Sequence, residues 1–188
     1  MQRDLNTTHK RNNGKPEQTH IIYIWRGDSF CRVWDVEFIE AKKQIQELWC
    51  KNIVDIEHFG STAIHNIWAK PILDIAIVLK SFADMDVKSM TDIGYDYCGL
   101  QKPDNDRYLF VLRGDNQLSL RHIHCYEPNN ADFIRCIGFR DYLNSHPKEA
   151  LEYSELKKKL AEQFPDDRFA YTDAKWGFVK SIYDKLPK

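Results

Sequence analysis

The sequence predicts a mixed α/β domain of the α+β kind, in which a sheet with helices is followed by a C-terminal helical layer. Three observations lead there. Between Val33 and Cys50 the apolar residues recur at helical spacing. From Val54 to Tyr126 β-type alternation and apolar runs dominate, broken by one short helical stretch. From Ala131 onward the pattern is helical again. With 188 residues, 43% of them hydrophobic, the chain suffices for one ordinary core and not for two.

Residues 1–20 are polar and carry hardly an apolar side chain. Ordering them would cost entropy that burial does not offset, so they read as a flexible tail, leaving 21–188 as a single domain. Ile21 to Trp25 is a short apolar run before the turn signal Arg26-Gly27-Asp28, and reads as a leading strand or extended arm. Trp34, Phe38, Ala41, Ile45, Leu48 and Trp49 then mark one face of an amphipathic helix.

Val54, Ile56 and His58 alternate with Asp55, Glu57 and Phe59 before Gly60, the pattern of a strand that ends at a glycine turn. Pro71 to Leu79 is β-branched and almost continuously apolar, so it reads as a central strand covered on both faces. Asp74 is the lone carboxylate within it. Ala83 to Ile93 reads as a short helix closed by Gly94, and Tyr95 to Leu100 as an extended segment. Polar, turn-rich Gln101 to Asp106 follows. Arg107 to Arg113 and Leu118 to Tyr126 read as a hairpin about Gly114-Asp115-Asn116. Helices are expected over Ala131–Asn144, Pro147–Gln163 and Thr172–Leu186, with Pro147 suited to a first turn. This succession implies a sheet with its helices largely on one side and Gly60 at its edge.

The net charge is only −1 and the pI about 6.6, so the whole molecule carries no electrostatic footprint for duplex nucleic acid or a membrane surface. Any anion site must be local. Cys31, Cys50, Cys98, Cys125 and Cys136 are odd in number and never form a C-x-x-C pair, which argues against a disulfide framework or structural zinc and for a reducing, cytoplasmic compartment.

The chemistry concentrates in Gly60-Ser61-Thr62-Ala63 and Lys70-Pro71-Ile72-Leu73-Asp74. A strand that stops at Gly60 lets backbone approach a ligand, and the Ser61 and Thr62 hydroxyls are suited to phosphate oxygens. Lys70, held extended by the following proline, is suited to aim at the same anion. Asp74 is suited to hold a divalent ion against that phosphate. His122 and His124, two apart on one strand, share a face and with Asp74 would make a two-histidine, one-carboxylate group. Glu57 is a further candidate ligand. Arg140, Lys157 and Lys175 on the helical third are candidate polyphosphate contacts, against the ordinary reading of helix cations as a solvated face. Tyr142, Tyr153 and Trp176 are assigned to helix packing.

Gly60-Ser61-Thr62 with Lys70-Pro71 and Asp74 resembles the signature of the GrpB family, whose fold is that of the nucleotidyltransferase superfamily. The resemblance runs from Ile21 to Lys185. Trp34 and Phe38 match the family's early aromatic helix, and Arg121-His122-Ile123-His124 its histidine-bearing strand. Phe139-Arg140-Asp141-Tyr142-Leu143, His146-Pro147, Ala150, Tyr153 and Leu156-Lys157 match its later helices, and Tyr171 with Lys175 its closing pattern.

The resemblance implies a nucleotidyltransferase-like mixed sheet and a protein that binds a nucleoside triphosphate with a divalent ion, Mg²⁺ or Mn²⁺, and transfers a nucleotidyl group to a small acceptor. Nucleotidyltransferases place two acids at alternate positions of the strand after the Gly-Ser turn, a third on a neighbour, and hold two ions. Here Ile72 and Ala76, the same-face neighbours of Asp74, are uncharged. Two alternatives therefore stand beside transfer: a non-catalytic nucleotide- or ligand-binding module, and a His/Asp metal-dependent phosphohydrolase or phosphotransferase.

Overall fold

The structure, a computed structural model, describes residues 24, 25, 28–101 and 107–187; the expected tail at 1–20, the Arg26-Gly27 turn and most of the polar stretch at 101–106 lie outside these residues. In chain order the strands are β1 (Ile24–Trp25), β2 (Ile53–Phe59), β3 (Trp68–Ala69), β4 (Leu73–Leu79), β5 (Tyr95–Leu100), β6 (Tyr108–Arg113) and β7 (Ser119–Tyr126). The helices are α1 (Asp28–Trp49), α2 (Val87–Asp92), α3 (Ala131–Ser145), α4 (Pro147–Gln163) and α5 (Arg168–Tyr183).

Five strands form a mixed sheet in the order β2-β4-β7-β6-β5. Only the β4–β7 pair is parallel. Its residues explain why β4 lies inside: Leu73, Ile75, Ile77 and Leu79 are buried toward one face, Ala76 and Val78 toward the other. A separate two-stranded ladder pairs β1 with β3.

The helices occupy both faces of the sheet, not one. Ala41, Ile45 and Trp49 of α1 pack on Ile56, Ile75 and Ile77. On the reverse face Phe133, Cys136 and Ile137 of α3 cover Phe59, Ala76 and Tyr126. A strand apolar on both sides needs both covered, and α3 is the helix that reaches the second. Behind α3 the helical layer closes on its own core of Ile64, Ile67, Leu143, Tyr153, Val179 and Ile182.

Caps set the helix boundaries that periodicity misplaced. Asp167 Oδ1 accepts from Ala170 N at 2.9 Å, so α5 begins at Arg168, a turn ahead of the expected Thr172. The expected helix over Ala83–Ile93 splits instead. Ser81 caps a 3₁₀ turn at Phe82–Asp84, and Asp86 caps α2.

Parallel pairing fixes the register that matters for chemistry: Asp74 lies opposite His122 and Ala76 opposite His124. The neighbouring Ile75 is fully buried against the α1 side, so it holds the strand while Asp74 faces the other way. Ile75→Ala should lower stability by about 2–5 kcal/mol, read as a drop in the urea midpoint with an unchanged slope.

Candidate metal and anion site

Strand β2 ends at Phe59, opposite Asp74, and Gly60 turns the chain with φ 70° and ψ −168°. A Cβ on Gly60 would stand 2.4 Å from Asp74 Oδ2. The glycine therefore makes room first for the carboxylate of its own chain, where the sequence suggested room for an incoming ligand. Ser61 follows, half-buried, and lines a cleft beside Asp74.

Asp74 is held from both sides. Oδ2 faces Gly60, while Oδ1 lies 3.1 Å from His122 Nδ1 and 3.9 Å from His124 Nε2. Burial on its own would raise the Asp74 pKa; the His122 hydrogen bond and the nearby His124 outweigh it and hold the carboxyl well below its ordinary value. Burial pushes His124 down, further than Asp74 lifts it, so this imidazole is neutral at neutral pH. Its Nδ1 is buried with no hydrogen-bond partner among the described residues.

One ligand atom from each of Asp74, His122 and His124 lies within 4.8 Å of the others. Metal–donor distances of about 2.0–2.2 Å give ligand–ligand edges of about 3–3.5 Å, so the 3.1 Å edge from Asp74 to His122 already fits, while the 3.9 Å edge to His124 and the edge between the imidazoles would have to close around an ion. Two imidazoles and one carboxylate suit Mn²⁺, Fe²⁺ or Zn²⁺ better than Mg²⁺. The expected convergence of these three residues is present in the fold.

The cleft has a volume of about 220 Å³ and is bounded by Gly60, Ser61 and Asp74 on the sheet side and by Tyr153, Lys175 and Tyr183 on the helical side. Lys175 Nζ lies 5.6 Å from the ring centre of Tyr171, and Lys70 Nζ reaches the same ring at 4.8 Å. Burial, then Arg168 and Lys175, lower the Lys70 pKa. Lys157 sits deeper, 2% exposed, donating to the Trp68 carbonyl at 2.6 Å. A shallower hollow of about 370 Å³ between Arg121 and Glu40, Lys43 and Glu47 of α1 carries both signs of charge, on the opposite face from Asp74.

Four sequence-based assignments are corrected. Thr62 is 1% exposed; its hydroxyl donates to Ile72 O at 3.1 Å and accepts from His58 Nε2 at 3.0 Å, so it stitches the turn to β4 and has no free edge for phosphate. Arg140 is spent on the frame: it donates to Glu57 Oε2 at 2.5 Å, His58 O at 2.7 Å and Asp141 Oδ1 at 2.7 Å, pinning α3 to β2. The same pair occupies Glu57, which is thereby withdrawn from the metal-ligand candidates. Trp176, expected in helix packing, is 53% exposed.

Sequence reasoning named Lys175 on α5 and missed Val179 and Tyr183, which line the cleft beside it. Tyr171, Lys175, Val179 and Tyr183 stand four residues apart and so share one stripe of the helix, and the last three line the cleft. The four-residue spacing of Lys175, Val179 and Tyr183 within the expected helix was the available signal.

The sheet order and the helical layer define a nucleotidyltransferase-like fold. The Cid1 poly(U) polymerase, solved with Mg and 3′-dATP bound, superposes with a TM-score of 0.50 and 14% identity over 80% of this chain and 49% of that one, a likeness of fold alone. Within that class the chain belongs to the GrpB family: residues 28–185 match the family model described as GrpB protein.

The crystal structure of the conserved protein GrpB from Enterococcus faecalis superposes with a TM-score of 0.76 at 29% identity, covering 87% of this chain and 96% of that one. The chain is similar to the glutamate-rich protein GrpB of Alkalihalophilus pseudofirmus, 32% identical over 88% of this chain and 95% of the relative. It is also similar to YqkA of Bacillus subtilis, 36% identical over 82% of this chain. Of that second relative it spans less than half, 45% of the length.

Gly60→Ala tests the packing of the turn. It places a methyl group on Asp74 and forces a non-glycine residue to positive φ, so stability should fall by about 1–3 kcal/mol in chemical denaturation. Asp74→Gly in the same background should recover part of that loss; no recovery would show that the backbone angle alone is responsible.

Proposed function

We propose that this protein binds the polyphosphate of a nucleoside triphosphate together with one divalent ion and transfers the nucleotidyl group to a small acceptor. The observation that carries the reading is the convergence of Asp74, His122 and His124 beside a cleft that also receives Lys175. The bound nucleotide and Mg named for the Cid1 structure support it by analogy of fold.

A divalent ion held by the three donors would neutralise phosphate oxygens and stabilise charge developing on the phosphoryl group. The chain's own residues do the rest. Ser61 meets the phosphates at the sheet edge, and Lys70 from the β3–β4 connection with Lys157 and Lys175 from the helical side balance their charge. His122 and His124 complete the ion's ligands; alternatively His124, kept neutral by burial, accepts the proton of the acceptor hydroxyl as its oxygen bonds to the α-phosphorus and pyrophosphate departs.

The cleft, at about 220 Å³, is smaller than the roughly 300–1,000 Å³ of ordinary ligand pockets. It takes a phosphate chain and leaves the base outside, so the reading includes weak base selectivity. A reducing, cytoplasmic setting belongs to it too, supported by the free thiols of Cys50, Cys98, Cys125 and Cys136.

One observation favours a second reading, a nucleotide-binding module without catalysis. Ala76, on the face of Asp74, supplies no second carboxylate, and Glu57 is tied to Arg140. Pyrophosphate release from ATP in the presence of a library of hydroxyl and amine acceptors separates the two: transfer predicts acceptor-dependent release, the module predicts binding without it.

Calorimetry with Mn²⁺ tests the binding itself. Asp74→Asn keeps the shape beside Gly60 and should weaken Mn²⁺-dependent ATP binding by at least about 10–100-fold. Lys175→Ala should leave Mn²⁺ binding in place while costing ATP about 1.5–3 kcal/mol, the worth of a charged hydrogen bond. ATP, CTP, GTP and UTP should bind within a few-fold of one another; strong preference for one base would exclude the phosphate-only cleft.

A further inference from the structure

Lys157 is a cation-forming side chain in an apolar place. It is 2% exposed, and the one acceptor it meets among the described residues is Trp68 O at 2.6 Å. The ring centre of Tyr153, one turn earlier on α4, lies 4.7 Å from Nζ. From the β3–β4 connection comes Lys70, and from α5 come Lys175 and Tyr171, with both ammonium groups against that ring. Arg168 adds positive charge beside Lys70. Lys158, next along α4, stands 5.4 Å from the Trp68 ring centre.

No carboxylate among the described residues forms an ion pair with Lys70, Lys157 or Lys175. Positive charge gathered out of water without a counter-ion is costly. The fold relieves that cost at the deepest member: burial first, then Lys175 and Lys70, hold the Lys157 amine well below its ordinary value. In its neutral form the amine gives one N–H to Trp68 O and keeps a lone pair. An anion seated against Lys70 and Lys175 reverses the local potential and removes the reason for that neutrality.

We propose that the far end of the polyphosphate chain seats against Lys70 and Lys175, and that its arrival transfers one proton from solvent to Lys157 Nζ, buried behind them. The inference rests on the reading of the cleft as a polyphosphate site and names a step within it. No bond to phosphorus changes; buffer acid loses a proton and the amine becomes an ammonium. The complex then holds more protons than the free protein, so affinity falls as pH rises through the range in which free Lys157 is neutral and bound Lys157 charged. Below that range Lys157 is already charged and the uptake vanishes.

The test is calorimetry of the full chain with Mn²⁺ and tripolyphosphate, near neutral pH, in buffers of different ionisation enthalpy. The wild type should take up about one proton more than Lys157→Arg, in which the cation is permanent. Lys157→Met, close in volume, should bind more weakly and show the same missing proton. In the unaltered protein, the Lys157 Nζ resonance should move from amine to ammonium values on adding ligand.

Equal proton uptake in wild type and both variants, or an Nζ resonance already of ammonium type before ligand is added, overturns the inference while leaving the polyphosphate site intact. Absence of tripolyphosphate binding to the wild type overturns the site and the inference together.

Discussion

The carboxylate of Asp74 has to be accommodated inside a central strand whose other side chains are apolar. Burial opposes its charge, and two imidazoles from the parallel neighbour β7 oppose that penalty on one side. On the other side the chain has withdrawn: Gly60 leaves a space that a methyl group would fill. The Gly-Ser turn, the central strand and the histidine strand are thus one unit. The turn exists because the acid needs room, and the acid stays ionised because β7 lies parallel and in register. Everything proposed about metal or phosphate follows from that single three-strand arrangement.

Around it the charged side chains divide by what they touch. Arg140 is paired with both Glu57 and Asp141 and fastens α3 across β2. That pairing secures the cover over Ala76 and Tyr126 and leaves no charge for a ligand. Among the described residues Lys70, Lys157 and Lys175 meet aromatic rings and a carbonyl and no acid. A fold that satisfies its cations so completely in one place and leaves them so poorly satisfied in another has separated frame from site. Unpaired charge at the rim of a cleft, unlike paired charge, is a feature that a ligand can complete.

Family and fold rest on long, ordered similarity, while the reaction rests on the local geometry of a few side chains. Where the resemblance implies two acids on the strand after the turn, this chain carries one, with two imidazoles on the neighbouring strand. The donor set thereby shifts from the hard oxygen ligands suited to Mg²⁺ toward a mixed set suited to softer ions. Membership of the GrpB family and a nucleotidyltransferase-like architecture are compatible with that change, because a fold fixes where a site lies and not what its donors do.

Much was legible in the chain itself. The periodicity of Trp34 to Trp49, the alternation before Gly60 and the continuous apolar run to Leu79 determined a helix and two strands. Ala131 onward determined the helical layer, and local pattern is sufficient for such elements because each buries its own stripe. His122 and His124 were readable as same-face neighbours, since strand geometry is local. What only the tertiary structure decided was pairing. That Asp74 meets His122 across 48 residues depends on parallel register. That Thr62 and Arg140 turn inward depends on which backbone carbonyls and acids happen to lie near. That Lys157 is buried while its neighbour Lys159 is exposed depends on how α4 docks against Trp68. Sequence encodes the side-chain chemistry and its local period; the contacts that turn a hydroxyl into a stitch, or a lysine into a buried amine, arise only when distant segments exclude water together.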